Sequence, residues 1–130
     1  MMWKLVFPAL AAVFTLGSAA LIGGPRDIDV NDSGVQNALN FAVVQHNRGT
    51  NDMFVSQVAE VIKAQSQVVA GIKYIITVRM GRTDCRKDSG NQQCTIHQGN
   101  EKARLYQCTF TVWSRPWLRD GIQLLDEKCQ

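Results

Sequence analysis

The sequence predicts an α+β domain with an antiparallel sheet, on three observations. Val35, Ala38, Leu39, Ala42 and Val43 recur at the i, i+3, i+4, i+7 spacing of one amphipathic helix. Further on, Ile72, Tyr74, Ile76, Val78 and Met80 alternate with Lys73, Ile75, Thr77 and Arg79. Tyr106, Cys108, Phe110 and Val112 alternate with Gln107, Thr109 and Thr111 in the same way, and such period-two patterns are half-buried strands. No helical pattern stands between these strands, so they pair as neighbours rather than through crossover helices.

The elements follow in chain order. Residues 1–20 read as a signal peptide. Lys4 supplies a charge, Leu5–Leu16 an apolar run, and Gly17-Ser18-Ala19-Ala20 small residues that suit cleavage after Ala19 or Ala20. A membrane anchor is the competing reading, because no charge occurs from Leu5 to Pro25, but the apolar run is short for a span. Residues 21–130 then form a single domain. Leu21–Val30, with Gly23-Gly24-Pro25, is an extended lead-in. Asn31, Asp32 and Ser33 are all suitable helix caps, and the helix runs to about His46, where Asn47–Asp52 stops it. His46, near that end, reads as a residue that compensates the helix dipole or caps the helix, not as a catalyst. Met53–Ala64 is ambiguous. Phe54, Val55, Val58, Ala59 and Ile62 have helical spacing, whereas Val55, Val58, Val61 and Ile62 are β-branched. Periodicity alone makes this segment a helix. Thr83–Lys102 is polar and turn-rich, a long loop, and Ile122–Cys129 is a third strand.

Composition narrows function before any motif does. The chain has 130 residues, 45% apolar and 19% charged, with a formal net charge of +3. That suits one core and argues against a disordered or supercharged segment. A mild positive bias without a clustered basic face gives no reason to expect nucleic acid. Cys85, Cys94, Cys108 and Cys129 all lie in the C-terminal part, and an even number in an exported chain reads as two disulfides. Three pairings are open. Cys85–Cys94 with Cys108–Cys129 is the economical one, and each bridge would contribute about 3 kcal/mol through loop-closure entropy. Zinc is disfavoured, because there is no Cys-x-x-Cys pair and His46 and His97 are not spaced with the cysteines. No cofactor or metal is expected. No Gly-x-Ser-x-Gly, no His-Glu-x-x-His and no free thiol beside a histidine marks an enzyme.

Two turns depart from ordinary loop chemistry. Gln67-Val68-Val69-Ala70-Gly71 would be a hairpin tip, yet tips normally carry Asn, Asp, Gly or Pro. Ser114-Arg115-Pro116-Trp117-Leu118 is a second turn, with an exposed-looking Trp beside Pro. Apolar tips on neighbouring hairpins form a patch that marks an interaction site, unless each folds back onto the core.

Gln67-Val68-Val69-Ala70-Gly71 is also the Gln-x-Val-x-Gly motif of the cystatins. Pro116-Trp117 resembles their second hairpin dipeptide, and Gly23 resembles their N-terminal glycine. With the leader and the four ordered cysteines, Leu21–Gln130 as a whole resembles a type 2 cystatin. The resemblance implies a cystatin fold, an antiparallel β-sheet wrapped around one long α-helix, and so makes Met53–Ala64 a strand. It also implies the nearest-neighbour pairing, Cys85–Cys94 and Cys108–Cys129.

The implied function is reversible, tight-binding inhibition of papain-like cysteine proteases of the cathepsin type. A wedge of three pieces would block the active-site cleft. Leu21, Ile22 and Gly23 would fill the non-primed subsites, with Gly23 turning the backbone away from the nucleophile. The hairpin Gln67, Val68, Val69, Ala70 and Gly71, with Pro116 and Trp117, would enter the primed side. Thr50-Asn51-Asp52 resembles the Ser-Asn-Asp loop with which some type 2 cystatins inhibit legumain, with Thr in place of Ser. Asn51 is therefore the candidate residue of a second, legumain-binding site. Asn31-Asp32-Ser33 is an N-glycosylation sequon as well as a cap. The expected state is a secreted monomer, free of the membrane after signal cleavage. Val69, β-branched at a tight reversal, suggests strain that a domain-swapped dimer would relieve. The alternative to inhibition is a non-inhibitory secreted binding module of the same fold.

Overall fold

A computed structural model describes residues 24–88, 94–99 and 103–130. Strand β1 is Arg26–Asp27, and helix α1 spans Ser33–Gly49. Strands β2 (Phe54–Val69), β3 (Gly71–Arg86), β4 (Tyr106–Ser114) and β5 (Ile122–Cys129) follow. All pair antiparallel in one five-stranded sheet whose spatial order is the chain order. The helix lies against one face of the sheet, as the α+β reading expects.

Of the three candidate caps, the helix uses Asp32. Its carboxylate accepts from the Gly34 N–H at 2.9 Å and the Val35 N–H at 3.3 Å, which stabilises the helix start by about 1 kcal/mol. Val35, Ala38, Leu39, Ala42 and His46 form the buried stripe. They meet Tyr74, Ile76, Val78 and Met80 of β3 and Cys108, Phe110 and Val112 of β4 in one core. Ile72, in phase with the β3 residues, is exposed instead because it lies toward the hairpin, outside the core beneath the helix.

His46 does more than terminate the helix. It is only 4% exposed, with Nε2 2.7 Å from the Tyr106 hydroxyl and Nδ1 3.1 Å from Glu127 Oε1. Burial pushes the Tyr106 hydroxyl above the ordinary tyrosine range, against a hydrogen bond to Ser56 that works the other way. Both ring nitrogens of His46 are within hydrogen-bond distance of a partner, one on β4 and one on β5. His46 thus ties the helix to β4 and β5.

Strand β2 overturns the helical reading of Met53–Ala64. Its pairing with β3 shifts register between Phe54 and Ser56, between Val58 and Glu60 and between Val61 and Lys63. Each irregularity resets the phase of the strand. Val58, Val61 and Ala64 consequently all face the core, at intervals of three. A bulged strand has reproduced the spacing of a helix. Strand β3 also runs into the predicted loop. Thr83 is fully buried, with its hydroxyl donating to the Val55 carbonyl at 2.7 Å, and Cys85 is buried beside it. Both proposed disulfides are present. Cys108 and Cys129 are direct cross-strand partners, flanked by the paired backbones of Gln107 and Gln130.

Candidate functional site

Two hairpins end side by side at one end of the sheet. The first reverses between Val69 and Gly71, so Ala70 alone lies outside the strands. Gly71 takes the left-handed backbone, φ +96°. A Cβ there would be driven into the Ser114 carbonyl oxygen and would lie 2.9 Å from Arg115 Cγ. The residue is therefore fixed twice, by conformation and by the close approach of the second hairpin. Val69 is extended and paired with Gly71, and among the described residues Arg104 is the one non-glycine with positive φ. The strain expected at Val69 is taken by Gly71.

The second hairpin, between β4 and β5, is closed by the Arg115 N–H donating to the Gly121 carbonyl at 2.6 Å. The Leu118 N–H donates to the Arg115 carbonyl at 3.0 Å. Pro116 and Trp117 stand at its tip. Neither tip folds back onto the core: Val68 is 81% exposed and Trp117 63% exposed, with Leu118, Val69 and Ile72 also open. These exposed side chains make the hairpin end of the sheet apolar. Leu21, Ile22 and Gly23 lie outside the described residues. In β1, Arg26 pairs with Ser66 and Asp27 with Gln65. Antiparallel pairing makes the chain enter β1 from the side of the Gln67 tip.

Sequence reasoning missed two residues here. The Trp113 indole N–H donates to the Ala70 carbonyl at 2.8 Å, and the Arg115 guanidinium lies 3.7 Å from the centre of the Trp113 ring. Val69, Lys73, Trp113 and Leu125 line a groove of about 220 Å³ on the face of the sheet away from the helix. The available signal was a Trp on the outward phase of β4, where Thr109 and Thr111 precede it.

The Thr50–Asp52 loop lies elsewhere, between α1 and β2. Asn51 is exposed, and both its neighbours are pinned. Thr50 accepts from Lys87 Nζ through its carbonyl at 2.9 Å and shares a 2.7 Å hydrogen bond with it through Oγ1. The Asp52 carboxylate accepts from the Phe54 N–H at 3.0 Å and from Arg82 Nε and Nη2 at 2.8 to 3.0 Å. Burial works to raise the Asp52 pKa, but the Phe54 amide and the Arg82 guanidinium hold it below the ordinary carboxylate value. Asn31 is exposed in the turn before the helix. The His46 nitrogen and the Cys108 and Cys129 sulfurs lie within 4.8 Å of one another, but the sulfurs are bonded to each other and offer no thiolate to a metal.

A cystatin domain family matches residues 23–117. A cystatin of Oncorhynchus keta is 55% identical over 130 residues, covering 100% of this chain and 99% of the relative. A cystatin-C of Paralichthys olivaceus is 57% identical over 129 residues, covering 98% of this chain and all of the relative. Among solved structures, dimeric human cystatin F superposes with a TM-score of 0.75 at 32% identity, over 84% of this chain and 87% of that one.

Proposed function

The chain belongs to the cystatin family, whose members inhibit cysteine proteases and are not enzymes, and from that premise we propose that it is a secreted inhibitor that obstructs the cleft of papain-like proteases of the cathepsin type. The observation that carries this reading is the apposition of two exposed apolar hairpin tips, Val68-Val69-Ala70 and Pro116-Trp117, locked together at Gly71. Gln67 pairs with Lys73 beneath the first tip, and the paired run ends at Val69 and Gly71. A cleft that binds extended peptides accepts such tips on its primed side, and Leu21 and Ile22 fill its non-primed side. Gly23 lets the backbone leave between them. Both halves of the cleft are filled, but no peptide bond is offered to the enzyme thiolate. Inhibition then needs no nucleophile, metal or cofactor from the inhibitor, and it is reversible because no covalent bond forms.

Titration of papain with the chain beginning at Leu21, and with a chain beginning at Gly24, tests this. The longer chain should titrate the enzyme and be recovered uncut. Loss of Leu21, Ile22 and Gly23 should weaken binding by about tenfold or more, since two apolar anchors go, with the melting temperature unchanged. Absence of inhibition by the longer chain would refute the proposal in favour of a binding module.

A second reading adds to the first. Asn51 stands exposed between two clamped neighbours, the presentation that an asparagine-specific protease such as legumain requires. It lies in the loop after the helix, away from the hairpin tips, so both enzymes can be held by one chain. Asn31, exposed and in a sequon, is proposed as a glycan acceptor, read out by the mass of the secreted protein.

A further inference from the structure

The wedge acts as one body only if its hairpins keep a fixed relation, and backbone pairing between them stops short of the first apex. The ladder between β3 and β4 ends at Ile72 and Ser114, short of the Ala70 apex. We infer that Trp113, backed by Arg115, is the positioning residue that holds the first hairpin apex against the second hairpin; this rests on the wedge reading above.

The contacts form a continuous chain. The apex carbonyl of Ala70 sits at an exposed turn, where only water would otherwise serve it. Trp113 reaches it with the indole N–H at 2.8 Å, across 43 residues of sequence. The Arg115 guanidinium lies over the indole ring, 3.7 Å from its centre. Its buried Nε has no hydrogen-bond partner, so stacking rather than hydrogen bonding holds that part of the side chain. The backbone of the same residue closes the second hairpin through Gly121 and Leu118. Its Cγ occupies the space a Gly71 side chain would need. Apex carbonyl, indole, guanidinium and second turn are therefore linked without a gap. Trp113 need not touch the protease to matter. A tether of this kind keeps the free inhibitor in the shape it has when bound, so that less ordering remains to be done on binding.

The test compares Trp113→Phe with the unmutated chain. Phenylalanine keeps an aromatic face for Arg115 and removes only the N–H. Papain inhibition should weaken by at most roughly threefold to tenfold, the range for loss of one net hydrogen bond, with a fall in melting temperature of no more than about 4–8 °C, the equivalent of ~1 kcal/mol. Hydrogen exchange at the Ala70 and Gly71 amides should accelerate while the core amides stay protected. In a Trp117→Ala background the Trp113→Phe penalty should shrink, because a tether between hairpins loses its value when one has lost its anchor. Equal inhibition by Trp113→Phe and the parent, or an additive double mutant, overturns the inference and leaves the wedge standing. If Trp113→Phe melts lower than the loss of one hydrogen bond explains, Arg115→Met decides. It keeps the stem beside Gly71 and removes the guanidinium, and unchanged inhibition by it overturns the inference. If the parent itself fails to inhibit papain, the wedge reading falls. The exchange rates at Ala70 and Gly71 still report whether the tether exists in the free protein.

Discussion

Replacement of Gly71 by alanine tests the geometry of the hairpin end most directly. The substitution adds one methyl group at a backbone φ of +96°. Left-handed backbone costs an alanine about 1–2 kcal/mol. The methyl also has to enter space held by the Ser114 carbonyl and Arg115 Cγ, and relief of such a backbone clash adds about 1–2 kcal/mol. The total of about 2–4 kcal/mol corresponds, in a domain of this size, to a fall of roughly 8–16 °C if the whole fold bears it. The strain lies at an open end of the sheet, so the tips can move apart and the measured fall should be smaller. Moving apart is what inhibition cannot tolerate, and affinity for papain should drop at least about thirtyfold, the equivalent of ~2 kcal/mol. Gly49→Ala is the matched control, since a Cβ there meets nothing within 4 Å. Melting curves and inhibition constants for the three proteins decide the matter. If Gly71→Ala keeps both the stability and the inhibition of the parent, the hairpins are not locked at this residue and the reasoning fails.

Other outcomes follow from the same contacts. Trp117→Ala should leave the melting temperature unchanged, because the side chain is 63% exposed. It should weaken papain binding by about thirtyfold through faster dissociation; surface plasmon resonance separates the two rates. Asn51→Lys should abolish legumain inhibition and spare papain inhibition, and loss of both in parallel assays would point to a damaged fold. Asp52→Asn should lower the melting temperature at pH 7 by roughly 2–4 °C. The native carboxyl titrates below its usual 3.8, so its contribution is complete above that pH. It is lost as pH falls through the lowered value, and the gap between mutant and parent should close below pH 3.8 in a melting series. Fresh protein should elute as a monomer; with no backbone strain at Val69 to drive exchange, a dimer in which β2 and β3 of one chain run on as a continuous strand should form only on heating. Such a dimer has no first tip, so a size-exclusion dimer fraction as active per chain as the monomer would exclude this exchange.

What the sequence showed and what it hid divide along physical lines. The stripe Val35, Ala38, Leu39 and Ala42 and the alternation from Tyr74 to Met80 were legible because a regular element imposes its own period on burial. Strand β2 was not, since its irregular register places Val58, Val61 and Ala64 on one face. Only the family likeness supplied the right element there. The end of β3 escaped for another reason. Thr83 is polar by composition and buried in fact, with its hydroxyl satisfied by Val55, and no local pattern announces a partner 28 residues away. At the candidate site the hairpin tips were visible as apolar residues where polar ones belong. Trp113 and Arg115 were not, because their partners are set by the meeting of two hairpins distant in sequence.

The irregular register of β2 carries a consequence for solubility. The sheet has two outer strands, and among the described residues the segment around β1 covers β2 at Ser66, Gln65 and Ala64, leaving most of the length of β2 as a rim. A straight, regular rim of that kind is a template on which further chains assemble into fibrils. The shifts between Phe54 and Lys63 break the even row of amides and carbonyls that such growth needs, and Glu60 and Lys63 place charges along it. At the opposite rim, the irregularity between Thr111 and Val112 and the run Asp126-Glu127-Lys128 do the same for β5. The sixteen-residue strands therefore present interrupted, charged flanks to solvent in place of straight, regular edges.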